Sequence, residues 1–412
     1  MKMIKLQDLA QIEISNVDKK SIEGETSVKL CNFVDVYYNW AITAEMTSQL
    51  MYATAKENQI AKFTLRKGQV AITKDSETRD DIGVATYIAD DMPGVILGYH
   101  CVLITPNENL INGKYLNVIF HSPYAQKYFE ANASGSGQRY TLTNEIVGEF
   151  PIPVIEIEKQ KQIGDLFSNI DRKIANNRVI CADLESMAKL LYDYWFVQFD
   201  FPDKNGKPYK SSGGKMVWNE ELKREIPEGW KITTIGNITI CHDSERIPVA
   251  GKDRESMKGN IPYYGATGIM GYVNRAIFNG DYVLMAEDGS VMDSEGHPVV
   301  QRVSGACWIN NHAHVLESTN GYSCKLLMMI LKDIPVMKIK TGSIQMKINQ
   351  ENMNSYRIID IPDCLKQTIC EKLDVFDEQL LHLHNENKQL VSVRDFLLPM
   401  LMNGQVKVGG KE

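Results

Sequence analysis

Apolar residues recur along residues 163–195 at alternating intervals of four and three positions. This is the a/d spacing of a coiled coil, and it predicts a long amphipathic helix. A second series with the same spacing covers residues 369–401, and each position lies 206 residues after its counterpart. The positions are Ile163, Phe167, Ile170, Ile174, Asn177, Cys181, Leu184, Ala188, Leu191 and Trp195, and then Ile369, Leu373, Phe376, Leu380, Leu383, Asn387, Leu390, Arg394, Leu397 and Leu401. The chain therefore contains two copies of one helical pattern.

The repeat extends upstream of both helices. Each copy contains a Gly-Ser-x-Gln sequence, at residues 135–138 and 342–345, followed by an apolar strand closed by Ile-Pro. Further upstream, IKLQDLAQI (4–12) resembles WKITTIGNI (230–238), and LRKGQVAITKDSE (65–77) resembles FNGDYVLMAEDGS (278–290). The predicted fold class is α+β, with two tandem αβ domains in a pseudo-two-fold arrangement, separated by an antiparallel coiled coil of the two long helices.

These patterns also predict the domain boundaries. We expect a first αβ domain at residues 1–155, a first long helix at 156–198, and a second αβ domain at 229–362. A second long helix is expected at 363–404, with a tail at 405–412, although Pro399 should end or kink that helix. Residues 199–228 are rich in Pro, Gly, Ser and Lys, and they predict a linker or an ordered surface segment.

An asparagine interrupts each apolar series. In an antiparallel pairing whose residue numbers add up to 564, Ile174 meets Leu390 and Asn177 meets Asn387. Paired buried amides cost stability but fix helix register, so we expect Asn177 and Asn387 to set the register of the coil. Asn176 lies outside the series.

The length of the helices suggests a spacing function. Residues 163–195 in helical form span roughly 48 Å. Such a helix would hold two recognition units a turn or more of duplex DNA apart, which suits a bipartite site with two different halves. A bilobal scaffold that holds two proteins apart is the alternative from another functional class.

Composition narrows the setting. The 412 residues carry a formal net charge of −7, which argues against indiscriminate polyanion binding but permits a local basic groove. The longest apolar run is shorter than a membrane span, no signal-peptide core is present, and the eight cysteines show no framework spacing. We therefore expect a cytoplasmic protein with free thiols and no membrane association.

The motifs of several enzyme classes are absent. The sequence has neither the (D/N/S)-P-P-(Y/F) tetrapeptide of adenine methyltransferases nor a GxxxxGK(S/T) nucleotide loop. Pro202-Asp203 with Glu221-Leu222-Lys223 imitates a nuclease motif, but the aspartate lies in a Gly/Pro-rich turn. Cys307, His312 and His314 could supply zinc ligands, with packed or hydrogen-bonded histidines as the favoured alternative. We expect no catalytic residues and no metal site.

The chain resembles the specificity subunits of type I restriction–modification enzymes. The matching features are the Gly-Ser-x-Gln loop, the Phe-Pro-Ile-Pro strand followed by EKQKQIGDLFSNIDRKIANNR, the central segment LLYDYWFVQFDFPDKNGKPYKSSGGKMVWNEELKREIPEGW, and RDFLLPMLMNGQVKV near the end. The resemblance covers essentially the whole chain. It implies a non-catalytic subunit whose two target recognition domains read an asymmetric, interrupted site in double-stranded DNA.

The same resemblance implies partners. Two modification subunits would dock on the helices and methylate adenine, and restriction subunits would complete an ATP-dependent nuclease. The chain itself would hold no cofactor, with S-adenosylmethionine, ATP and magnesium bound by the partner subunits. A complex with modification subunits alone is a further alternative that one chain cannot distinguish.

Candidate DNA-binding residues lie in loops rich in small, polar and basic side chains. The Gly-Ser loops contribute Ser136, Gln138, Arg139, Tyr140, Ser343, Gln345 and Lys347, although these loops could simply start the following strand. A second group comprises Tyr264, Thr267, Asn274 and Arg275, for which a buried aromatic corner is an equal alternative. The first-half counterpart of this group is either the region 37–40 or Lys74 and Arg79.

Overall fold

The structure is a computed structural model that describes residues 2–135, 139–342 and 346–402. Its chain divides into two compact units, residues Met1–Arg178 with His384–Glu412, and residues Val179–Leu383. The two long helices each contribute to both units, so each unit contains one αβ domain and a section of both helices.

Among the described residues, thirteen strands and five short α-helices form the αβ domain of the first unit. The strands are β1 (Lys2–Lys5), β2 (Ala10–Ile14), β3 (Thr26–Cys31), β4 (Ala41–Ile42), β5 (Met51–Ala55), β6 (Val70–Thr73), β7 (Asp75–Ser76), β8 (Ala85–Ile88), β9 (Val95–Leu97), β10 (Cys101–Pro106), β11 (Ser134–Gly135), β12 (Tyr140–Thr141) and β13 (Pro151–Val154). The helices are α1 (Phe33–Tyr38), α2 (Glu57–Phe63), α3 (Gly113–Phe120), α4 (Pro123–Asn132) and α5 (Asn144–Gly148). The first long helix, α6 (Ile157–Tyr192), follows.

The second unit repeats this plan. Its strands are β14 (Met216–Asn219), β15 (Arg224–Pro227), β16 (Lys231–Thr234), β17 (Thr239–Cys241), β18 (Lys258–Tyr264), β19 (Ile269–Val273), β20 (Phe278–Ala286), β21 (Val300–Ile309), β22 (Ala313–Ser318), β23 (Lys340–Thr341), β24 (Lys347–Ile348) and β25 (Arg357–Asp360). Its helices are α7 (Ile235–Ile238), α8 (Gly251–Ser256), α9 (Cys324–Lys332) and α10 (Gln350–Ser355), before the second long helix α11 (Asp363–Met402).

The main sheets of the two units share their central order. The first is β2-β10-β6-β8-β4, and the second begins β17-β22-β20-β21 before it adds β18 and β19. Equivalent antiparallel pairs, β1 with β13 and β16 with β25, come before the two long helices. The predicted α+β class and internal repeat are confirmed. The repeat could be read because the same apolar and turn positions are needed twice to bury equivalent cores.

A buried polar side chain at the start of each long helix forms hydrogen bonds with the αβ domain that precedes the helix. Gln160 accepts a hydrogen bond from Asn112 N (2.8 Å) and donates one to Leu110 O (3.2 Å). At the equivalent position of α11, Lys366 donates to Asn320 O at 3.1 Å. Each bond satisfies a main-chain group just before α3 or α9, so helix and domain are joined without an orphaned polar group.

The segment 199–228 is an ordered part of the second unit. Phe199 and Phe201 are buried in its core, and the Trp230 ring stacks on Phe201 with the ring centroids 5.0 Å apart. The hairpin of β14 and β15 completes the segment.

Helices α6 and α11 pack against each other in antiparallel fashion within each unit. In the first unit Phe167 shares a core with Leu397, and in the second Leu184 shares one with Leu380. Asn177 Nδ2 lies 2.9 Å from Asn387 Oδ1, in the pairing whose residue numbers sum to 564. Of the two expectations for Pro399, an end of the helix at this residue is wrong, because α11 continues to Met402 with the proline inside it, while a kink there stays a prediction.

A partly buried carboxyl on α6 gives the first unit a pH-dependent stability. Burial raises the pKa of Asp171 to about 6, although the charges of Arg394 and Arg178 act in the opposite direction. The pKa of this carboxyl in the unfolded chain is about 4. Ionisation therefore lowers the free energy of unfolding progressively as the pH rises from about 4 to about 6, and it has no effect at lower pH, where both states are protonated. Asp171→Asn is expected to stabilise the first unit by roughly 2 kcal/mol at pH 7.5, with the gain shrinking towards pH 4. Thermal unfolding at several pH values measures this gain, and an equal gain at every pH would contradict the prediction.

Candidate functional site

A cluster of charged side chains surrounds Asp75 at the end of the main sheet of the first unit. Its carboxylate oxygen Oδ2 lies 2.9 Å from Lys74 Nζ, 2.6 Å from His100 Nδ1 and 3.3 Å from Arg139 Nη2. We call Lys74, Asp75, His100 and Arg139 the first histidine cluster. The His100 and Arg139 side chains are 33% and 57% exposed, whereas Asp75 is buried. The imidazole and the guanidinium therefore face solvent, and the carboxylate lies beneath them.

Hydrogen bonds keep Asp75 ionised. Burial acts to raise its pKa, but hydrogen bonds from His100, Lys74 and Thr141 outweigh burial and lower the pKa to about 2. The carboxylate is therefore charged at any physiological pH, and it holds the imidazole and both cations in place.

The main chain positions His100 in an uncommon conformation. This residue precedes β10 and has a positive φ of 73°. Left-handed backbone is uncommon outside glycine, although histidine is among the residues enriched there. The Lys74 N–H donates to the His100 carbonyl at 2.8 Å, which anchors this turn to the residue that follows β6.

The remaining described candidates of the first half join the same region. Tyr140 lies on β12 and pairs with Ser76 of β7, while the Arg79 guanidinium lies 5.2 Å from the Tyr140 ring centroid. Arg79 also donates to the Ala133 carbonyl at 3.3 Å. Lys74, Arg79, Arg139 and Tyr140 are therefore brought together by tertiary pairing. Ser136 and Gln138 lie outside the described residues.

The second unit has a related cluster around Asp288. His312 Nδ1 lies 2.7 Å from Asp288 Oδ1, and Lys347 Nζ lies 3.6 Å from Asp288 Oδ2. We call Asp288, His312 and Lys347 the second histidine cluster. Here the residue before the aspartate is Glu287, whose carboxylate is paired with Arg246 at 2.8 Å. Ser343 and Gln345 lie outside the described residues.

The second group of candidates lies on the hairpin of β18 and β19. Tyr264 is half-buried against the core, Thr267 is exposed in the turn and Asn274 is exposed just after β19. The exposed Arg275 places its guanidinium 5.3 Å from the Trp308 ring centroid.

Asn310 links this hairpin to the second histidine cluster. Its N–H donates to the Tyr264 carbonyl (3.1 Å), and its Oδ1 accepts from the His312 N–H (2.9 Å). The recognition candidates of the second half are therefore joined through one buried amide.

The three possible zinc ligands do not meet. Cys307 is buried in an apolar core and His312 contacts Asp288, while His314 donates from Nδ1 to Asp243 and from Nε2 to the Ile348 carbonyl. Burial acts to lower the pKa of His314, but its bonds to Asp243 and Ile348 raise it overall.

Cys241, Asp243 and His314 do approach one another within 4.8 Å. Both nitrogens of His314 are already hydrogen-bonded, and the Arg246 guanidinium lies 3.5 Å from Asp243. This chemistry suits a charged histidine–aspartate pair better than a divalent metal, whose ligands must offer free lone pairs.

Sequence reasoning missed both aspartates and His100 as site residues, and it considered His312 only as a possible zinc ligand. The signal was present, because the alignment of residues 65–77 with 278–290 places Asp75 opposite Asp288. His100 and His312 precede equivalent strands, β10 and β22.

Within the described ranges 2–135, 139–342 and 346–402, no helix has the length and apolar character needed to cross a bilayer. Two copies of one αβ domain, each followed by a long helix and each carrying a histidine cluster, define a protein with tandem recognition domains. The chain matches the family described as type I restriction modification DNA specificity domain twice, at residues 1–186 and 227–392, and it belongs to that family.

Named relatives agree with this assignment. The chain is 24% identical over 325 residues to the specificity subunit of the type I restriction enzyme MjaIX of Methanocaldococcus jannaschii, covering 74% of this chain and 71% of the relative. It is 21% identical over 413 residues to the HindI specificity subunit of Haemophilus influenzae, covering 84% and 88%. The crystal structure of the type I restriction–modification S subunit from M. genitalium has the same fold, with a TM-score of 0.58 at 15% identity over 96% of this chain and 94% of that one.

Proposed function

We propose that this chain is the DNA-binding specificity subunit of a type I restriction–modification complex. It reads an asymmetric bipartite site in double-stranded DNA, one half with each recognition domain. The observation that carries the proposal is the two-fold match to the DNA specificity family, at residues 1–186 and 227–392. Two copies with different exposed side chains suit two different half-sites.

Local charge supports DNA binding despite the net charge of −7. In the first histidine cluster, Lys74 and Arg139 exceed the single carboxylate of Asp75. Arg79 extends this basic surface beside Tyr140. Phosphate contacts need only a few such cations, so an acidic protein can present a basic groove.

The catalytic work belongs, in this proposal, to other chains. Two modification subunits dock on the chain and methylate adenine with S-adenosylmethionine, and restriction subunits add the ATP- and magnesium-dependent nuclease. Exposed apolar side chains on the long helices support docking. Val179, Met187 and Leu190 of α6 are 62%, 54% and 68% exposed. Apolar surface of this kind marks contact sites for partners.

Methylome mapping tests the proposal. The chain is expressed with its neighbouring modification subunit in a host that lacks adenine methylation, and methylated adenines are mapped by single-molecule sequencing. We expect one two-part motif with an unspecified spacer, and no methylation when either protein is expressed alone. Methylation by this chain alone, or a contiguous motif, would contradict the proposal.

A domain exchange separates the two half-sites. Replacing residues 1–155 with the corresponding domain of a relative is expected to change one half of the motif and leave the other half intact. The reciprocal exchange of residues 229–362 is the matched control, and it should change only the other half.

A further inference from the structure

The two histidine clusters are built on the same main-chain frame. In the first unit Lys74 N donates to the His100 carbonyl (2.8 Å), and Leu142 N donates to the Lys74 carbonyl (2.8 Å). In the second unit Glu287 N donates to the His312 carbonyl (2.9 Å), and Ile348 N donates to the Glu287 carbonyl (2.9 Å). Each frame joins the end of one strand, the start of its neighbour and the strand that follows the Gly-Ser loop.

The same side chains occupy equivalent places on this frame. Asp75 follows Thr73 by two residues, and Thr73 pairs with Cys101. Asp288 likewise follows Ala286, which pairs with Ala313. The histidine precedes the partner strand in both units, and its Nδ1 lies 2.6 or 2.7 Å from the carboxylate.

The surrounding residues have diverged. Lys74 corresponds to Glu287, and Thr141 corresponds to Lys347. The cations therefore occupy different positions in the two units, whereas both units retain the histidine–aspartate pair. We infer that the pair has the same function in both units.

We propose that His100 and His312 are equivalent phosphate ligands, one in each recognition domain. This inference rests on the proposed DNA-binding function. The carboxylate orients each ring at Nδ1 and leaves Nε2 on the other side of the ring, where an N–H can donate to a phosphate oxygen. The His100 and His312 side chains are 33% and 48% exposed, so a ligand in solvent can reach both rings.

The groups that face His100 fit this assignment. They are Asp75, Lys74 and Arg139, with the Tyr99 ring in edge contact at 4.0 Å. Arg139 Nη2 lies 2.6 Å from His100 Nδ1, so the exposed guanidinium lies directly beside the ring. A phosphate bound to the ring could therefore pair with the guanidinium as well.

The groups that face His312 are arranged differently. Asp288 and Lys347 lie beside the ring, and Arg246 reaches the neighbouring Asn311 carbonyl at 3.5 Å while it pairs with Glu287. The exposed His312 ring and the exposed Lys347 ammonium therefore lie on either side of the Asp288 carboxylate.

The test measures DNA binding by the complex of this chain with its modification subunits. The probes are a fluorescent duplex that contains the methylome-derived site and a duplex of the same length with that site scrambled. Affinity is measured by anisotropy over a salt series. The wild-type complex should bind both duplexes, and it should bind the duplex that contains the site more tightly.

Each histidine is then replaced separately. His100→Gln and His312→Gln should weaken binding of both duplexes about three- to tenfold. Each should also reduce the salt slope by about one phosphate contact. His100→Lys should restore the affinity.

Controls separate binding from folding. His297→Gln, in the turn closed by Asp293, should leave affinity and salt slope unchanged. The melting temperature of each variant complex should equal that of the wild type, and His100→Lys keeps the test decisive if His100→Gln is unstable.

Two results overturn the assignment. One is a glutamine variant with wild-type affinity and salt slope, and the other is a loss confined to the specific duplex, which would indicate a base contact. If the wild-type complex shows no preference between the duplexes at any salt concentration, the proposed function fails as well. Normal specificity with unaffected variants overturns only the histidine assignment.

Discussion

Asp377→Ala is expected to lower the free energy of unfolding of the second unit by about 3–5 kcal/mol. Asp377 Oδ2 accepts from Arg302 Nε at 2.9 Å, and both side chains are largely buried, at 10% and 13% exposure. Arg302 also contacts Asp281 at 2.9 Å and donates to the Val303 carbonyl at 2.6 Å. Removing Asp377 leaves the buried guanidinium with the more exposed Asp281 as its carboxylate partner, so most of the buried positive charge loses its compensation.

Hydrogen exchange monitored by mass spectrometry on β21 and α9 measures this loss, since both elements belong to the second unit. Asp171 is the matched control, because it lies at the repeat-equivalent position of α6, 206 residues earlier. Asp171→Asn should stabilise the first unit at pH 7.5, whereas Asp377→Ala should destabilise the second. A loss below about 1 kcal/mol for Asp377→Ala would show that the ion pair is merely a surface contact.

Asn177→Leu is expected to cost about 2 kcal/mol, although it adds an apolar side chain to the packed face of α6. Asn177 is fully buried, and its Nδ2 donates to Asn387 Oδ1 at 2.9 Å and to Glu386 Oε2 at 2.7 Å. Leucine would remove this donor from both acceptors. Lys173, which lies 3.1 Å from Glu386, would then be the neighbouring cation for that carboxylate.

A double-mutant cycle isolates the asparagine pair. Asn387→Leu should also destabilise the first unit, and the double variant Asn177→Leu with Asn387→Leu should recover most of the loss through apolar contact. Denaturant unfolding supplies the four free energies. Additive effects of the two substitutions would mean that the amides do not act as a pair.

The long helices and the repeat were readable from the sequence because their determinants are local and periodic. Spacings of three and four residues place the side chains on one helical face, and the same pattern must recur to cover an equivalent core. The antiparallel pairing whose residue numbers sum to 564 also related Asn177 to Asn387, which lie 2.9 Å apart. The continuation of α11 past Pro399 could not be predicted from the sequence. The packing of Leu397 and Leu398 against the core outweighs the local preference of proline to end a helix.

The histidine clusters were only partly predictable. Lys74, Arg139 and Lys347 were selected as basic loop residues, and all three lie in the clusters. The aspartates were missed because a cluster formed by residues 75, 100 and 139 exists only after β6, β10 and β12 pair. Spacing along the chain carries no direct sign of such a meeting.

The frame beneath the histidine clusters is made of main-chain hydrogen bonds, and every non-proline residue supplies the same amide and carbonyl groups. In this region the main-chain atoms form the hydrogen bonds of the fold, and the side-chain atoms of the same residues provide the chemistry of recognition. Lys74 and Glu287 show the consequence, since opposite charges occupy equivalent places without altering the strands that carry them. A library that randomises these side chains while keeping the flanking apolar strands would therefore explore new DNA preferences on an unchanged scaffold.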